Sequence, residues 1–367
     1  MKKYEHGGNI YNAEGSAGKW LDMSANINPL GMSEAVKTEI VRNIDGLIHY
    51  PDPSMKELKS AISKRYEVDV KNIIALNGAA EFFYLYFNAV RPRKVLIIEP
   101  SFSEYERAAI SAQCEVEYFF TYCQDNFQIN LNQLLKKIRD EKINCTVLAN
   151  PNNPTGNLLK AEEVAEILKT AENVMIDESF TDFVGDEYSI KNLFNEYKNL
   201  IIVQSMTKFF AIPGLRLGFA IGDEKLIERL EQSKDVWNVN YLAQKVGAVA
   251  LNDEKYIEST KKYILEEKDY ICKRLKKIED IKIFEPTANF VLIKFESERI
   301  AEELIKELRE KKILLRSCEN FRGLDGRYIR MAIRTRKENE KVIDLIERVI
   351  MNDKNNFNQA RGNGLEC

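Results

Sequence analysis

The sequence is poor in the residues that several common kinds of site require. It contains only two histidines, His6 and His49, and none of its six cysteines forms a Cys-x-x-Cys pair. A zinc site or a histidine-based catalytic triad is therefore not expected, and we predict no metal. The 54 basic residues nearly balance the 57 acidic residues, so charge gives no reason to expect a nucleic-acid or membrane partner.

Long apolar runs and flexible segments are scarce as well. No apolar run approaches the ~18 residues of a membrane-spanning helix, and the stretch from Met1 to His6 lacks the hydrophobic region of a signal peptide. Scattered cysteines without an export signal are typical of a cytoplasmic protein. With only 17 glycines and 9 prolines in 367 residues, long flexible linkers are not expected.

The order of apolar patterns predicts an α/β fold. Short apolar runs alternate with helical patterns, which is typical of a mostly parallel central sheet covered by helices on both faces. After about Gly222 the pattern changes to that of a smaller α+β domain. Six strands are predicted in the large domain, at 72–76, 94–98, 115–120, 145–149, 173–176 and 200–204, and three in the small domain, near 289–295, 313–316 and 328–334. The chain is divided into an N-terminal arm or part of the small domain (1–51), a large α/β domain (52–253), a small C-terminal domain (254–351) and a disordered tail (352–367).

Two polar turns follow predicted strands of the large domain. In Asn77-Gly78-Ala79, Gly78 permits a tight turn, and the free N–H groups that open the next helix attract phosphate. Any strand-to-helix turn also favours glycine. In Asn150-Pro151-Asn152-Asn153-Pro154, two prolines hold the loop extended, so that Asn153 can present an amide donor to a fixed acceptor. Asparagine and proline are equally common in ordinary turns.

Two charged side chains stand at or just beyond strand ends. Asp177 ends the apolar run Val174–Ile176, where a carboxylate could keep a cationic ring nitrogen protonated or could simply cap a loop. Lys208 stands among apolar residues, where burial would lower the pKa of its amine and allow it to form a Schiff base. A lysine in such a place can also be an amphipathic surface residue. Ser205, Thr207 and Arg216 could bind a phosphate beside it.

The order and spacing of these motifs resemble the pyridoxal-phosphate enzymes of the aspartate-aminotransferase type, known as fold type I. The resemblance runs from about His6 to Met351. It implies pyridoxal 5'-phosphate as the cofactor and a homodimer with shared active sites. By this resemblance Lys208 bonds covalently to the cofactor, Asp177 pairs with its pyridinium nitrogen, and Asn153 donates to its ring hydroxyl.

The same resemblance assigns further contacts. Phe102 is expected to stack on the cofactor ring, and Tyr50 to reach the cofactor phosphate of the neighbouring subunit. Arg330 matches the arginine that binds the substrate carboxylate. Arg316 matches a position that binds a substrate phosphate, although it could instead form a surface ion pair. The cofactor phosphate is expected to contact Gly78, Ala79, Ser205, Thr207 and Arg216.

Three stretches are similar to those of the threonine-phosphate decarboxylases within this family. They are His6-Gly7-Gly8-Asn9, Ser24-Ala25-Asn26-Ile27-Asn28-Pro29 and Asp177-Glu178-Ser179-Phe180, the last of which lacks the tyrosine that many aminotransferases have at its fourth position. The likeness implies a carboxy-lyase that converts O-phospho-L-threonine to (R)-1-amino-2-propanol phosphate for cobalamin biosynthesis. His6 and Asn26 would add donors to the substrate phosphate.

Three alternatives stay open at this point. A histidinol-phosphate or similar aminotransferase would use the same fold and cofactor. A decarboxylase acting on O-phosphoserine, giving ethanolamine phosphate, would differ by one methyl group, which decides only ~1–3 kcal/mol. A non-enzymatic binding module is the third, and the presence of both Lys208 and Asp177 argues against it.

Overall fold

The structure is a computed structural model that describes residues 6–11 and 20–362, with side chains up to residue 354. In this part of the chain the strands are β1 (Leu21–Asp22), β2 (Ile73–Leu76), β3 (Lys94–Glu99), β4 (Glu115–Phe120), β5 (Cys145–Ala149), β6 (Val174–Asp177), β7 (Leu200–Ser205), β8 (Gly218–Ile221), β9 (Ile281–Phe284), β10 (Phe290–Phe295), β11 (Ile313–Leu314), β12 (Arg316–Ser317) and β13 (Tyr328–Ala332). The α-helices are α1 (Glu34–Asn43), α2 (Lys56–Tyr66), α3 (Ala79–Val90), α4 (Glu104–Ser111), α5 (Leu131–Asp140), α6 (Ala161–Thr170), α7 (Met206–Phe209), α8 (Glu224–Glu231), α9 (Tyr241–Leu251), α10 (Glu254–Leu275), α11 (Glu298–Glu310) and α12 (Arg336–Gly362).

A seven-stranded sheet with the order β2-β8-β7-β6-β5-β3-β4 forms the centre of the large domain. Every residue of β2, β5, β6 and β7 is buried, as expected for strands that helices cover on both faces. All neighbouring strands run parallel except β8, which is antiparallel to both β7 and β2. The predicted mostly parallel sheet is therefore confirmed. The prediction omitted β8, a four-residue strand that begins with glycine, a poor strand former.

A separate four-stranded antiparallel sheet, with the order β12-β13-β10-β9, belongs to the C-terminal part of the chain. Helix α10, 22 residues long, leads into it. Strand β1 pairs in parallel with β11, through Leu21 with Ile313 and Asp22 with Leu314. This pairing attaches residues of the N-terminal arm to the small domain, while α1 packs on α9. The division into four parts remains a prediction.

The last helix extends beyond the predicted end of the small domain. Helix α12 continues to Gly362. Asp353 pairs with Arg299, and Lys354 pairs with Asp280 at 2.8 Å, which connects the start of this segment to the small domain. The disordered tail expected over residues 352–367 stays a prediction. Residues 363–367 lie outside the described part of the chain.

The direction of the large sheet places the predicted motifs together. Strands β2, β3, β5, β6 and β7 are mutually parallel, so their carboxyl ends meet at one edge of the sheet. The segments that follow these strands begin there, and open α/β sheets bind ligands at this edge. None of the helices in residues 6–11 and 20–362 is long and apolar enough to cross a membrane.

Candidate active site

A cavity of about 560 Å³ opens at the carboxyl edge of the large sheet. The N-terminal arm, the large sheet and the small domain all contribute to its lining. Most of the residues predicted from the sequence line it: His6, Asn26, Ala79, Phe102, Asn153, Asp177, Ser205, Thr207, Lys208, Arg216, Arg316 and Arg330. We call Gly78, Ala79, Phe102, Asp177, Ser205, Thr207, Lys208 and Arg216 the cofactor half, and His6, Asn26, Arg316 and Arg330 the substrate half; Asn153 lies between them.

One end of the cofactor half is a cradle of backbone and guanidinium groups. Gly78, with φ of +87°, precedes α3, and a Cβ atom built on it would overlap the guanidinium of Arg216. A Cβ on Gly218 would lie 2.5 Å from the backbone nitrogen of Ala79. Because both glycines leave the start of α3 uncovered, its free N–H groups and Arg216 together suit a phosphate.

Two hydroxyl groups complete this cradle. Ser205 and Thr207 are both buried, and their hydroxyl oxygens lie 2.8 Å apart. Ser205 ends β7 and caps α7, accepting a hydrogen bond from the backbone N–H of Thr207 at 3.4 Å. One of the two hydroxyls donates to the other, which leaves the O–H of the second to donate to an anion beside Lys208.

Lys208 has the environment of a reactive amine. Burial lowers its pKa, Arg216 and Arg330 lower it further, and Asp177 acts in the opposite direction. Its Nζ atom lies 5.0 Å from the centre of the Phe180 ring. Phe180 stands where many aminotransferases have tyrosine, so this position presents an apolar face to the amine and no hydroxyl.

Asp177 is fixed by two donors. Tyr105 donates its hydroxyl to Oδ2 at 2.6 Å, and the backbone N–H of Ser179 donates to Oδ1 at 2.8 Å. Burial and the nearby Asp177 raise the pKa of Tyr105 well above its ordinary value, so it remains a donor. The sequence analysis did not single out Tyr105. Tyr105 follows Phe102 by three residues, a spacing that places both aromatic rings on one side of a helical turn. This spacing could have identified Tyr105 as a second aromatic residue of the site.

Phe102 connects the two halves of the cavity. Its ring meets that of Tyr105 edge to face, with centroids 5.7 Å apart, and that of His6 at 5.3 Å. Phe102 is partly buried and lines the cavity, a position compatible with stacking on a planar cofactor.

The substrate half contains two neighbouring guanidinium groups. Arg316 of β12 and Arg330 of β13 are directly opposite each other in the antiparallel pair, so both side chains leave the same face of the sheet. Burial lowers the pKa of Arg330 to about 10; Cys318 counteracts this and Arg316 adds to it. Arg316 donates to Asn320 at 2.7 Å and lies over the Phe321 ring. This pair of buried cations favours anionic ligands.

Arg330 also orients Asn153. Its guanidinium donates to the side-chain oxygen of Asn153 and to the backbone carbonyl of Ser24. Both acceptors are neutral, so neither compensates the charge of Arg330. With the Asn153 oxygen held in this way, the amide nitrogen remains the donor, as its predicted role requires.

Asn26 is the most unusual polar group in the cavity. It is 1% exposed, has φ of +56°, and within the described part of the chain neither atom of its amide has a hydrogen-bond partner. An unsatisfied buried amide is costly, at about 1–3 kcal/mol for each lost group. This cost favours a polar ligand at Asn26.

The structure does not bring Tyr50 into the cavity of its own chain. Tyr50 is 76% exposed and stacks on Trp237, with ring centroids 4.3 Å apart. Its predicted contact, with the cofactor phosphate of a neighbouring subunit, remains a prediction.

Comparison with known proteins shows the family of the chain. The family described as aminotransferase class I and II matches residues 18–346, and the chain belongs to this family. It is 34% identical to a threonine-phosphate decarboxylase of Salmonella typhimurium (strain LT2), over 94% of this chain and 96% of that one. A protein of Caldanaerobacter subterraneus subsp. tengcongensis, provisionally given the same name, is 39% identical over 96% of this chain and 97% of that one.

A solved structure confirms the fold. The histidinol-phosphate aminotransferase from Clostridium acetobutylicum superimposes with a TM-score of 0.85 and 33% identity, over 90% of this chain and 99% of that one. The cofactor of the family is pyridoxal 5'-phosphate. The residues of the cofactor half fit this group: the uncovered cradle at Gly78 suits its phosphate, the buried amine of Lys208 its aldehyde and the carboxylate of Asp177 its ring nitrogen.

Proposed function

We propose that this protein is a pyridoxal-phosphate-dependent decarboxylase that converts O-phospho-L-threonine to (R)-1-amino-2-propanol phosphate, a step of cobalamin biosynthesis. The observation that carries the proposal is the pairing of two anion-binding positions. Arg330, Arg316, Asn26 and His6 line one cavity with Lys208. In the proposed complex Arg330 binds the carboxylate, and Arg316, Asn26 and His6 bind the phosphate. A substrate with both groups would occupy both positions.

The residues of the cavity have distinct tasks in this reaction. The bound cofactor supplies an acceptor for the electron pair that remains on Cα when the carboxylate leaves as CO2. Asp177, held by Tyr105, stabilises positive charge on the ring nitrogen. Arg330 binds the substrate carboxylate bidentately and thereby sets its direction.

Lys208 is the proposed proton donor. Its pKa lies below the ordinary lysine value because the amine is buried, so the protonated amine gives up its proton more readily. Delivery of a proton to Cα after CO2 has left yields the product amine. Delivery to the cofactor carbon instead would lead toward transamination, so the position of the Lys208 amine bears on which reaction prevails.

We also propose that the protein is a cytoplasmic homodimer with shared sites. The segment from Val41 to Tyr50 exposes several large apolar side chains, among them Ile48 at 83%. Such clusters usually mark an interface. A partner covering this segment would bring Tyr50 toward a second active site. Light scattering of the purified protein tests the dimer, and a monomer at micromolar concentration would refute it.

The assay that tests the function uses the cofactor-loaded protein. O-phospho-L-threonine is supplied without any keto acid, and CO2 and aminopropanol phosphate are followed by mass spectrometry. We expect one CO2 per substrate consumed, with Lys208→Ala as the inactive control. O-phospho-L-serine in a parallel reaction measures the preference for the methyl group.

The closest competing function is distinguished in the same experiment. A histidinol-phosphate aminotransferase would release no CO2 and would transfer the amino group of histidinol phosphate to 2-oxoglutarate. The fold does not separate the two functions, because a histidinol-phosphate aminotransferase and an L-threonine-O-3-phosphate decarboxylase both superimpose on the chain. Phe180 in place of tyrosine disfavours the aminotransferase. Amino transfer without CO2 release would contradict the proposal.

A further inference from the structure

A buried carboxylate lies behind the substrate half. Glu104, at the start of α4, is 7% exposed. Its Oε1 atom accepts a hydrogen bond from Nε2 of His6 at 2.8 Å, and its Oε2 atom accepts one from the Tyr84 hydroxyl at 2.7 Å. Burial raises the pKa of Glu104, but the bonds from His6 and Tyr84 and the charge of Arg107 outweigh it and hold the pKa at about 2. Glu104 is therefore charged throughout the physiological pH range.

The backbone that follows His6 is fixed from the other side. The N–H of Gly8 donates to the Ser24 hydroxyl at 2.8 Å. A Cβ on Gly7 would overlap the Ser24 carbonyl, so the chain lies directly on that residue. The same carbonyl accepts a hydrogen bond from Arg330. The arm is thus joined to the carboxylate-binding position at Ser24 and to α4 at Glu104.

These contacts define which edge of the imidazole a ligand can meet. Nε2 of His6 is occupied by Glu104, and one face of the ring lies near Phe102, with centroids 5.3 Å apart. His6 nevertheless lines the cavity. Nδ1 is therefore the ring nitrogen that can face a bound anion. A carboxylate on one nitrogen fixes the ring orientation. In an imidazolium whose Nε2–H bonds to a carboxylate, Nδ1–H is the second donor.

We propose that Glu104 is a positioning residue for phosphate recognition: it holds His6 so that Nδ1–H is directed at the substrate phosphate. The inference rests on the proposed function, since it names the residue that orients one of its phosphate donors. Glu104 does not itself touch the substrate. Glu104 contributes to phosphate binding by orienting His6, which lies 98 positions away in the sequence.

A double-mutant cycle tests whether Glu104 affects phosphate binding through His6. KM and kcat for O-phospho-L-threonine are measured for the cofactor-loaded wild type, Glu104→Ala, His6→Ala and the double variant. We expect Glu104→Ala to weaken binding roughly tenfold, as for loss of a charged hydrogen bond, and Glu104→Gln to weaken it less. KM should rise while kcat stays within about twofold. In the His6→Ala background, Glu104→Ala should have almost no further effect.

Two results would overturn the proposal. One is an equal weakening by Glu104→Ala whether or not His6 is present, which would mean that Glu104 acts independently of His6. The other is an equal weakening by the control variant Glu106→Ala. Glu106 is a similarly buried carboxylate on the same helix, and it bonds to Tyr118 and Arg322.

A spectroscopic readout separates this proposal from the proposed function. Because the chain has only two histidines, NMR of protein with ¹³C-labelled histidine gives two sets of ring signals. Inorganic phosphate should shift the His6 signals of the cofactor-loaded wild type and shift them less in Glu104→Ala, while the His49 signals stay constant. If O-phospho-L-threonine is not decarboxylated but this pattern holds, only the proposed function fails. If phosphate leaves the His6 signals unchanged, the positioning role fails.

Discussion

The two halves of the cavity are built in different ways. The cofactor half comes from short segments that directly follow strands of one sheet, so Gly78, Asp177 and Lys208 are placed by strands within the same layer. The substrate half is assembled from the N-terminal arm and from β12 and β13 of the small domain. The position of a motif that follows a strand is set by that strand. The position of the Arg330 side chain depends instead on contacts with Ser24 and Asn153, which are far away in the sequence.

Their charges differ as well. The cofactor half combines a carboxylate, Asp177, with an amine whose pKa is lowered, at Lys208. The substrate half contains the guanidinium groups of Arg316 and Arg330. The cofactor half therefore suits any pyridoxal-phosphate reaction at Cα, and the substrate half selects the anions that enter. The following variants test this division of tasks, from the largest expected effect to the smallest.

Removing Lys208 should have the largest effect. Lys208→Ala is expected to lower activity by more than about 10³-fold, because the amine both binds the cofactor and moves the proton. Borohydride reduction followed by mass spectrometry should label Lys208 in the wild type and no lysine in the variant. Lys268→Ala is the matched control, since Lys268 also has a pKa lowered by burial but donates to the Thr287 carbonyl instead. A trapped cofactor on another lysine would contradict the assignment.

Removing Arg330 should damage substrate binding and spare the cofactor. Arg330→Ala is expected to raise KM by about 10²-fold or more, because losing the partner of a buried charge costs ~2–5 kcal/mol. The absorbance of the bound cofactor should be retained. Arg327→Ala, which removes an arginine paired with Asp325 just before the same strand, provides the control. Equal KM values for the two variants would refute the carboxylate-binding role.

A smaller effect is expected at the cradle for the cofactor phosphate. Gly78→Ala should weaken cofactor binding about tenfold and destabilise the fold by ~1–2 kcal/mol, because a Cβ is strained at positive φ and meets Arg216. Dialysis against buffer without cofactor measures its retention. Gly214→Ala is the control, as a Cβ there has no heavy atom within 4 Å. If both variants retained the cofactor equally, the close approach at Gly78 would not matter for binding.

The smallest effect on ligand binding is expected at Glu99, a carboxylate near Phe102, which instead makes stability depend on pH. Burial raises the pKa of Glu99 to about 7, although the backbone N–H of Ser101 donates to it at 2.6 Å. The folded protein thus binds this proton more tightly than the unfolded chain, and the contribution of Glu99 to stability falls as pH rises from about 4.5 to about 7. Glu99→Gln should remove this loss of stability, which is on the order of 1–3 kcal/mol in the free energy of unfolding.

Urea unfolding at several pH values measures this difference. The stability of Glu99→Gln relative to the wild type should increase between pH 5 and pH 8. A difference that stays constant over this range would show that the pKa of Glu99 is the same in the folded and unfolded states.

Most of the fold and of the cofactor half could be predicted because their signals are local. The strand runs, the turn at Gly78 and the positions of Asp177 and Lys208 are each contained in a few consecutive residues. Tyr105 and Glu104 were missed because their importance comes from a single partner elsewhere in the chain. The ion pair of Asp353 with Arg299 could not be predicted for the same reason, since composition does not reveal which side chains meet.

The measurement that tests the division of the cavity most directly is a crystal structure of the cofactor-loaded Lys208→Ala variant with O-phospho-L-threonine. We expect the substrate carboxylate on Arg330 and its phosphate within hydrogen-bond distance of His6, Asn26 and Arg316. A phosphate bound to Arg330, or a substrate that contacts neither Arg316 nor the arm, would contradict the account.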